Sequence, residues 1–307
     1  MLSEEITLQG RLLRPQDLEL VRSLVADHPD WSRYRLSRHL ATLWQWRGLN
    51  GQLKDMAART LLLTLEKRGW IRLPERRWAS PNRMRHKRMP SADESVPTPI
   101  EASLAELLPL RFTELSERAQ AERSSLFEHL LHHHHYLSHR SPVGENLRYL
   151  VEDRHGRPVA CALFGAAAWR CTARDRFLGW DALTQARQLP LITNNTRFLI
   201  PPWIRVPHLA SHVLGRLARR LSCDWQRKYA HPIHLLETFV ERDRFQGTCY
   251  RAANWICVGE TRGRGRQGPD PRLLSTSIKD VYLLPLHPRF RECLLAPPNH
   301  PSPPIHP

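Results

Sequence analysis

Residues able to do chemistry concentrate in the last third of the chain. The stretch from Leu235 to Arg266, LLETFVERDRFQGTCYRAANWICVGETRGRGR, holds Glu237, Tyr250 and Arg251 and ends in Arg262, Arg264 and Arg266. A tyrosine beside arginines can attack phosphorus as a covalent nucleophile, with guanidinium groups stabilising the developing charge. Carboxylates offer another route to the same bond: Glu237, Asp175 and Asp181 can gather Mg2+ or Mn2+ and activate water. Neither set has a spacing that specifies its chemistry. A tyrosine on an amphipathic helix also serves as a packing residue, and Glu237 can pair with a neighbouring arginine.

The same region can simply bind. Arg205, Arg216, Arg219, Arg220, Arg227 and Lys228 fall around one helical stretch, and arginine forks suit phosphates. Trp203, Trp225 and Trp255 are interleaved with them, and can stack on unpaired bases or close a core at the ends of apolar strands. Asn194 and Asn195, read as lying just ahead of a strand in LITNNTRFL, can meet a base edge or make a turn. Arg174, Asp175 and Arg176 in RDRFLGWD can form a salt-bridged corner or meet a phosphate. His132 to His135 cannot all ligate one ion from a helix, because adjacent side chains point in different directions. A polar helix end is the expectation there.

Composition narrows the partner. Lys plus Arg is 46 against 30 for Asp plus Glu, a net charge of +16 with a pI near 10.4. That excess calls for a polyanion, nucleic acid ahead of an anionic membrane. With 307 residues, 41% of them hydrophobic, the chain can close two modest cores. No apolar run reaches the length of about 18 residues that a membrane span needs, and MLSEEITLQGRLL lacks the basic start and apolar centre of a signal peptide, so a cytoplasmic setting is expected. Six scattered cysteines without a C-x-x-C pair are expected to be reduced thiols.

The elements that must position these residues begin with three helices. Leu18, Val21, Leu24 and Val25 recur at helical spacing; Ser32 can cap a second helix with Leu36, Leu40 and Leu43 inside; Leu53, Ala57, Leu61 and Leu65 line a third, which stops at Gly69 and continues as a strand, WIRLP. Three helices and a strand describe a winged helix-turn-helix over residues 1–77, with Gln52, Lys54, Asp55 and Arg59 near the start of the reading helix. Residues 78–101 read as a basic, Pro- and Ser-rich linker, 102–292 as an α+β domain, and 293–307 as a Pro-rich tail. In the α+β domain a hairpin at 148–164 precedes a strand, a loop, an amphipathic helix through Leu209, Val213, Leu217 and Leu221, and a closing strand, helix, strand unit.

That order resembles the Gcn5-related N-acetyltransferase (GNAT) fold. PWIRVPHLASHVL falls in register with the superfamily motif Pro-x-Tyr-Arg-Gly-x-Gly-Ile-Gly-x-x-Leu-Leu through Pro202, Arg205 and Leu214, and CYRAANW falls on Leu-Tyr-x-x-x-Gly-Phe. The resemblance implies a mixed sheet with flanking helices and puts Tyr250 where the superfamily often has a general acid. The glycines that admit the coenzyme pyrophosphate are Val206, His208 and Ala210 here, which implies a loop that no longer cradles coenzyme A. NGQLKDMAARTLLLTLEKRGWIRLP, VGENLRYLVEDRHGRPVACALF, RDRFLGWD, LITNNTRFLIPPWIRVPHLASHVL, the opening stretch and KDVYLLPLH resemble, in order, blocks of the DruA family of the Druantia anti-phage systems, whose relatives also occur beside mobile elements. This resemblance implies a bacterial protein working on or near DNA, with a helicase-like partner. DNA binding by the GNAT-like domain is the leading expectation; sequence-directed nicking of DNA and acyl transfer are the alternatives.

Overall fold

The computed structural model describes residues 5–9, 11–48, 51–75, 98–116, 120–261 and 277–296. The basic run of the expected linker, the arginines Arg262, Arg264 and Arg266, and the tail from 297 onward lie outside these residues. Two compact units divide the chain, Met1–Arg88 and Met89–Pro307. Among the described residues no helix is long and apolar enough to cross a membrane.

The first unit opens with an antiparallel hairpin, β1 (Ile6–Leu8) and β2 (Arg11–Leu13), followed by α1 (Pro15–Asp27), α2 (Arg33–Leu43) and α3 (Asp55–Lys67). Pro15 occupies the first turn of α1, where its missing N–H leaves no gap in the helix, and the Ser32 side chain accepts the Arg35 N–H to cap α2. Leu18, Val21, Leu24, Leu36, Leu40, Leu61 and Leu65 meet in one apolar core. Leu43, expected inside, is exposed, because the buried stripe of α2 runs through Leu36, Ser37, Leu40 and Ala41.

Two features depart from a winged helix-turn-helix. A helix-turn-helix uses a turn of about 3–4 residues, whereas here the connection between α2 and α3 is a longer loop closed by an Arg47–Leu53 bridge and the Lys54 N–H to Trp46 carbonyl bond. Gln52 and Lys54 therefore precede α3, and only Asp55 and Arg59 of the expected reading set lie on it. Residues 71–75 form no strand. Their backbone is held by side chains: Leu73 N–H donates to Glu66 and the Pro74 carbonyl accepts from Arg33, which is itself paired with Glu66 in a fork.

The second unit is mixed α+β. In chain order it contains β3 (Ile100–Glu101), α4 (Leu104–Leu107), β4 (Arg111–Glu114), α5 (Ala121–His134), β5 (Leu147–Glu152), β6 (Pro158–Ala166), α6 (Thr172–Leu178), α7 (Ala182–Gln188), β7 (Ile192–Leu199), β8 (Ile204–Arg205), α8 (Leu209–Tyr229), β9 (Leu235–Glu241), α9 (Thr248–Ala252), β10 (Ile256–Glu260), β11 (Lys279–Pro285) and α10 (Phe290–Leu295). The expected succession of hairpin, strand, loop, helix, strand, helix, strand is thus present from β5 to β10. The main sheet has seven strands in the order β10-β11-β9-β7-β6-β5-β4, and β3 pairs with β8 in a separate parallel pair. Strand neighbours in the main sheet are antiparallel except β7 and β9, which α8 connects as a parallel pair.

Side-chain alternation gives the sheet two apolar faces. On one, Leu236, Val240, Tyr149, Ala162 and Phe164 pack with Val213, Leu217 and Leu221 of α8. On the other face Leu150, Cys161 and Leu163 meet Phe127, Leu130 and Leu131 of α5, while Leu235, Val281 and Leu283 meet Leu178 of α6 and Phe290 and Leu294 of α10.

Candidate functional site

The site follows from one irregularity in β7. Leu163 of β6 pairs with Arg197 and Phe164 with Asn195, so Thr196 is an extra residue, a bulge that bends β7. β7 and β9 pair only through Ile192–Leu235, Thr193–Leu236 and Asn194–Glu237. Beyond these residues the strands part, and side chains replace the lost ladder. The Thr238 hydroxyl donates to the Asn195 carbonyl (3.0 Å), and the Asn195 amide donates to the carbonyls of Leu163 (3.2 Å) and Arg197 (3.1 Å).

The parted strands leave a cavity of about 560 Å3, bordered by Phe198, Ala210, Thr238, Val240, Gly247 and Tyr250 among others. Tyr250 is buried and its hydroxyl donates to Asn195 Oδ1 (2.9 Å). Burial pushes this phenol well above its ordinary range. Gly247 begins α9 at φ +67°, and a Cβ there would lie 2.4 Å from the Tyr282 hydroxyl, so glycine is needed both for the conformation and for the close approach. His208 begins α8 at φ +63°, the left-handed conformation that glycine adopts most easily.

The end of α5 closes one side of the cavity with His134, His135 and Tyr136. The histidine run is dispersed. His132 Nδ1 meets the Ser138 hydroxyl (3.0 Å), the His134 ring stands edge-on to Trp203, and His135 Nδ1 accepts the Leu137 N–H (3.1 Å). Burial, then Arg197, pushes His135 down to about 4.

Glu237 lies on the opposite face of the sheet from this cavity. It follows Leu236 and precedes Thr238, so its side chain alternates away from theirs. Glu237 Oε2 accepts from Arg174 (2.8 Å), with both side chains fully buried, and Oε1 accepts the Ala168 N–H (2.6 Å). Asp175 accepts from the other side of the same guanidinium (2.9 Å), and Asp181 caps α7 through the Thr184 N–H (2.7 Å). Burial pushes the Glu237 carboxyl up, against the pull of Arg174; burial acts to lower Arg174, yet Glu237 and Asp175 hold it above its ordinary value. The three carboxylates therefore do not gather around an open position. Arg174 stands between two of them, and Tyr250 is separated from all three by the sheet.

The expected cationic set divides. Arg220 and Arg227 are tied to Asp224, which also accepts the Tyr149 hydroxyl. Arg205 pairs with Glu101, and Arg251 donates to the Tyr282 hydroxyl. Arg216 and Arg219 are exposed, and among the described residues neither has an ion pair with an acidic group. His212, on the same helix, is pushed down by burial and then by these two arginines. Arg59 of the first unit is exposed. Trp225 and Trp255 are core residues.

Asn194 and Asn195 lie inside β7 rather than ahead of it, because the bulge and the splay make polar side chains useful within the strand. Thr238 and Tyr136 are positions that the sequence does not single out, and His135 enters it only as part of a polar run. The run TNNT inside an apolar strand is the signal that marks this region.

No curated protein matches the chain in sequence. Among solved structures, a spermidine N-acetyltransferase of Vibrio cholerae in complex with CoA and spermine is 11% identical, covers 58% of this chain and 95% of its own, and superposes with a TM-score of 0.36. A variant of the Vibrio cholerae enzyme gives 10% identity, 61% and 96% coverage and a TM-score of 0.37. At these values the strand order above, rather than the likeness, defines the fold. The family described as Druantia protein DruA matches residues 64–268, well over half of the sequence, and the chain belongs to the DruA family.

Proposed function

We propose that this chain is a DNA-binding protein of a bacterial anti-phage defence or mobile-element-associated system, its large GNAT-like unit turned to nucleic acid. The observation that carries the reading is the face of α8 where the exposed Arg216 and Arg219 lie beside His212 without an acidic partner among the described residues. Uncompensated cations on the exposed face of a helix attract phosphates, and the net charge of +16 adds a field of the same sign. Arg59, exposed on α3, gives the first unit a cation that can meet a phosphate. Nicking by this chain has less support, because Tyr250 is buried with a raised pKa and Glu237 is locked to Arg174. Strand separation or cleavage then belongs to a partner, such as a helicase-like subunit.

The test is a binding assay on labelled single- and double-stranded DNA beside supercoiled plasmid, with and without Mg2+ or Mn2+. Binding without strand breaks, weakened by Arg216→Glu with Arg219→Glu, is the expected result. Open circles formed by the parent and lost in Tyr250→Phe would overturn it in favour of nicking.

Acyl transfer is favoured by one observation, the cavity beside the Tyr250 hydroxyl. Calorimetric titration with coenzyme A tests it: the side chains of Val206, His208 and Ala210 in place of glycines lead us to expect no binding.

A further inference from the structure

A second cluster lies away from the cavity, where the chain enters β9 and where α10 closes the fold. His234 is fully buried immediately before β9, His287 follows β11, and Cys293 is buried in α10. Each can offer one ligand atom, and these atoms lie within 4.8 Å of one another. His234 Nδ1 and His287 Nε2 face each other at 2.8 Å, with the rings nearly perpendicular. Two bare nitrogen lone pairs do not approach so closely without a proton or a cation between them. On the far side of the ring, His234 Nε2 is buried and has no hydrogen-bond partner among the described residues, so the ring is held only through Nδ1.

The backbone around the cluster is fixed before any ion arrives. His234 N–H donates to the Leu191 carbonyl (2.9 Å), and its own carbonyl accepts from Leu286 (3.0 Å). α10 is tied down by Trp180 Nε1 to the Leu294 carbonyl (2.9 Å) and by Gln188 to the Ala296 carbonyl (2.9 Å). Two imidazoles and a thiolate are borderline-soft donors that suit zinc-class ions rather than magnesium or calcium.

We propose that His234, His287 and Cys293 form a binding site for one zinc-class divalent ion, with the fourth position left to water or an incoming ligand. Binding releases the Cys293 thiol proton to solvent and places the thiolate on the metal. In a tetrahedral site with metal–nitrogen bonds of about 2.0–2.1 Å and a metal–sulfur bond of about 2.3 Å, the facing nitrogens would separate to roughly 3.3 Å and the Cys293 sulfur would settle roughly 3.6 Å from each, which calls for a shift of all three side chains.

The test uses the full chain without a polyhistidine tag, stripped of metal and titrated with Co2+, followed by competition with Zn2+. One equivalent of Co2+ with a thiolate-to-cobalt charge-transfer band, displaced by Zn2+, is expected. The band should vanish in Cys293→Ser and persist in Cys257→Ser, whose cysteine is exposed. His287→Gln, at a half-buried position, provides a second variant, expected to bind Co2+ more weakly while keeping the parent's circular dichroism. Absence of the band, or a band unchanged in Cys293→Ser, would overturn the proposal. Co2+ bound without a thiolate band would assign binding to the histidines of α5 instead and would overturn it equally.

Discussion

Tyr250 and Glu237 are both buried polar residues, and each has a specific cost of removal. Tyr250→Phe leaves Asn195 Oδ1 without its donor, a loss of about 1–3 kcal/mol for a buried acceptor. Urea unfolding should show that loss while DNA affinity stays at the parent's value; lost affinity with unchanged stability would place the hydroxyl in the binding surface. Glu237→Ala takes from the buried Arg174 its fully buried partner and leaves it only Asp175 as a counter-charge, so it is a poor probe of catalysis. His135 gives a pH test. Its folded-state value of about 4 lies below the ordinary histidine value of about 6.5, so the unfolded chain takes up a proton that the folded protein refuses. The stability linked to this group is complete above pH of about 6.5 and is lost as the pH falls toward 4. Urea midpoints should therefore decline less steeply over that window in His135→Gln than in the parent; identical slopes would contradict a neutral, half-buried His135.

Among the elements, α9 depends on Gly247. In Gly247→Ala the left-handed backbone and the contact with Tyr282, itself fully buried, both become unfavourable. A loss of about 1–3 kcal/mol is expected on unfolding, with the cavity reshaped; unchanged stability would show that Tyr282 moves freely. The amphipathic helices and the β5–β6 hairpin are legible in the sequence because their periodicity is a local property: Leu18, Val21 and Leu24 mark α1 without reference to anything else. Asn195 is not legible in the same way. Its amide serves a bulge and a splay that arise only when β7 meets both β6 and β9. Residues 71–75 have the apolar pattern of a strand, but a strand also needs a partner, and here Glu66 and Arg33 take the backbone groups. Glu237 and Asp175 are recognisable from sequence as potential partners of arginine, while the sheet that separates them from Tyr250 is a tertiary fact.

For the molecule as a whole, charge is the most legible property and also the one that bears on function. The excess of +16 needs only counting, but its distribution needs the fold, which ties Arg220 and Arg227 to Asp224 and leaves Arg216 and Arg219 exposed. Counterion release makes that distribution measurable, because each phosphate contact contributes about 0.9 to the slope of log affinity against log salt. The measurement to make is DNA affinity across a range of salt concentrations for the parent and for Arg216→Glu with Arg219→Glu. A steep salt dependence in the parent, with the slope reduced by about 2 in the double variant, is the expected result. DNA affinity that is absent, or a slope unchanged by the two substitutions, would contradict DNA binding through α8.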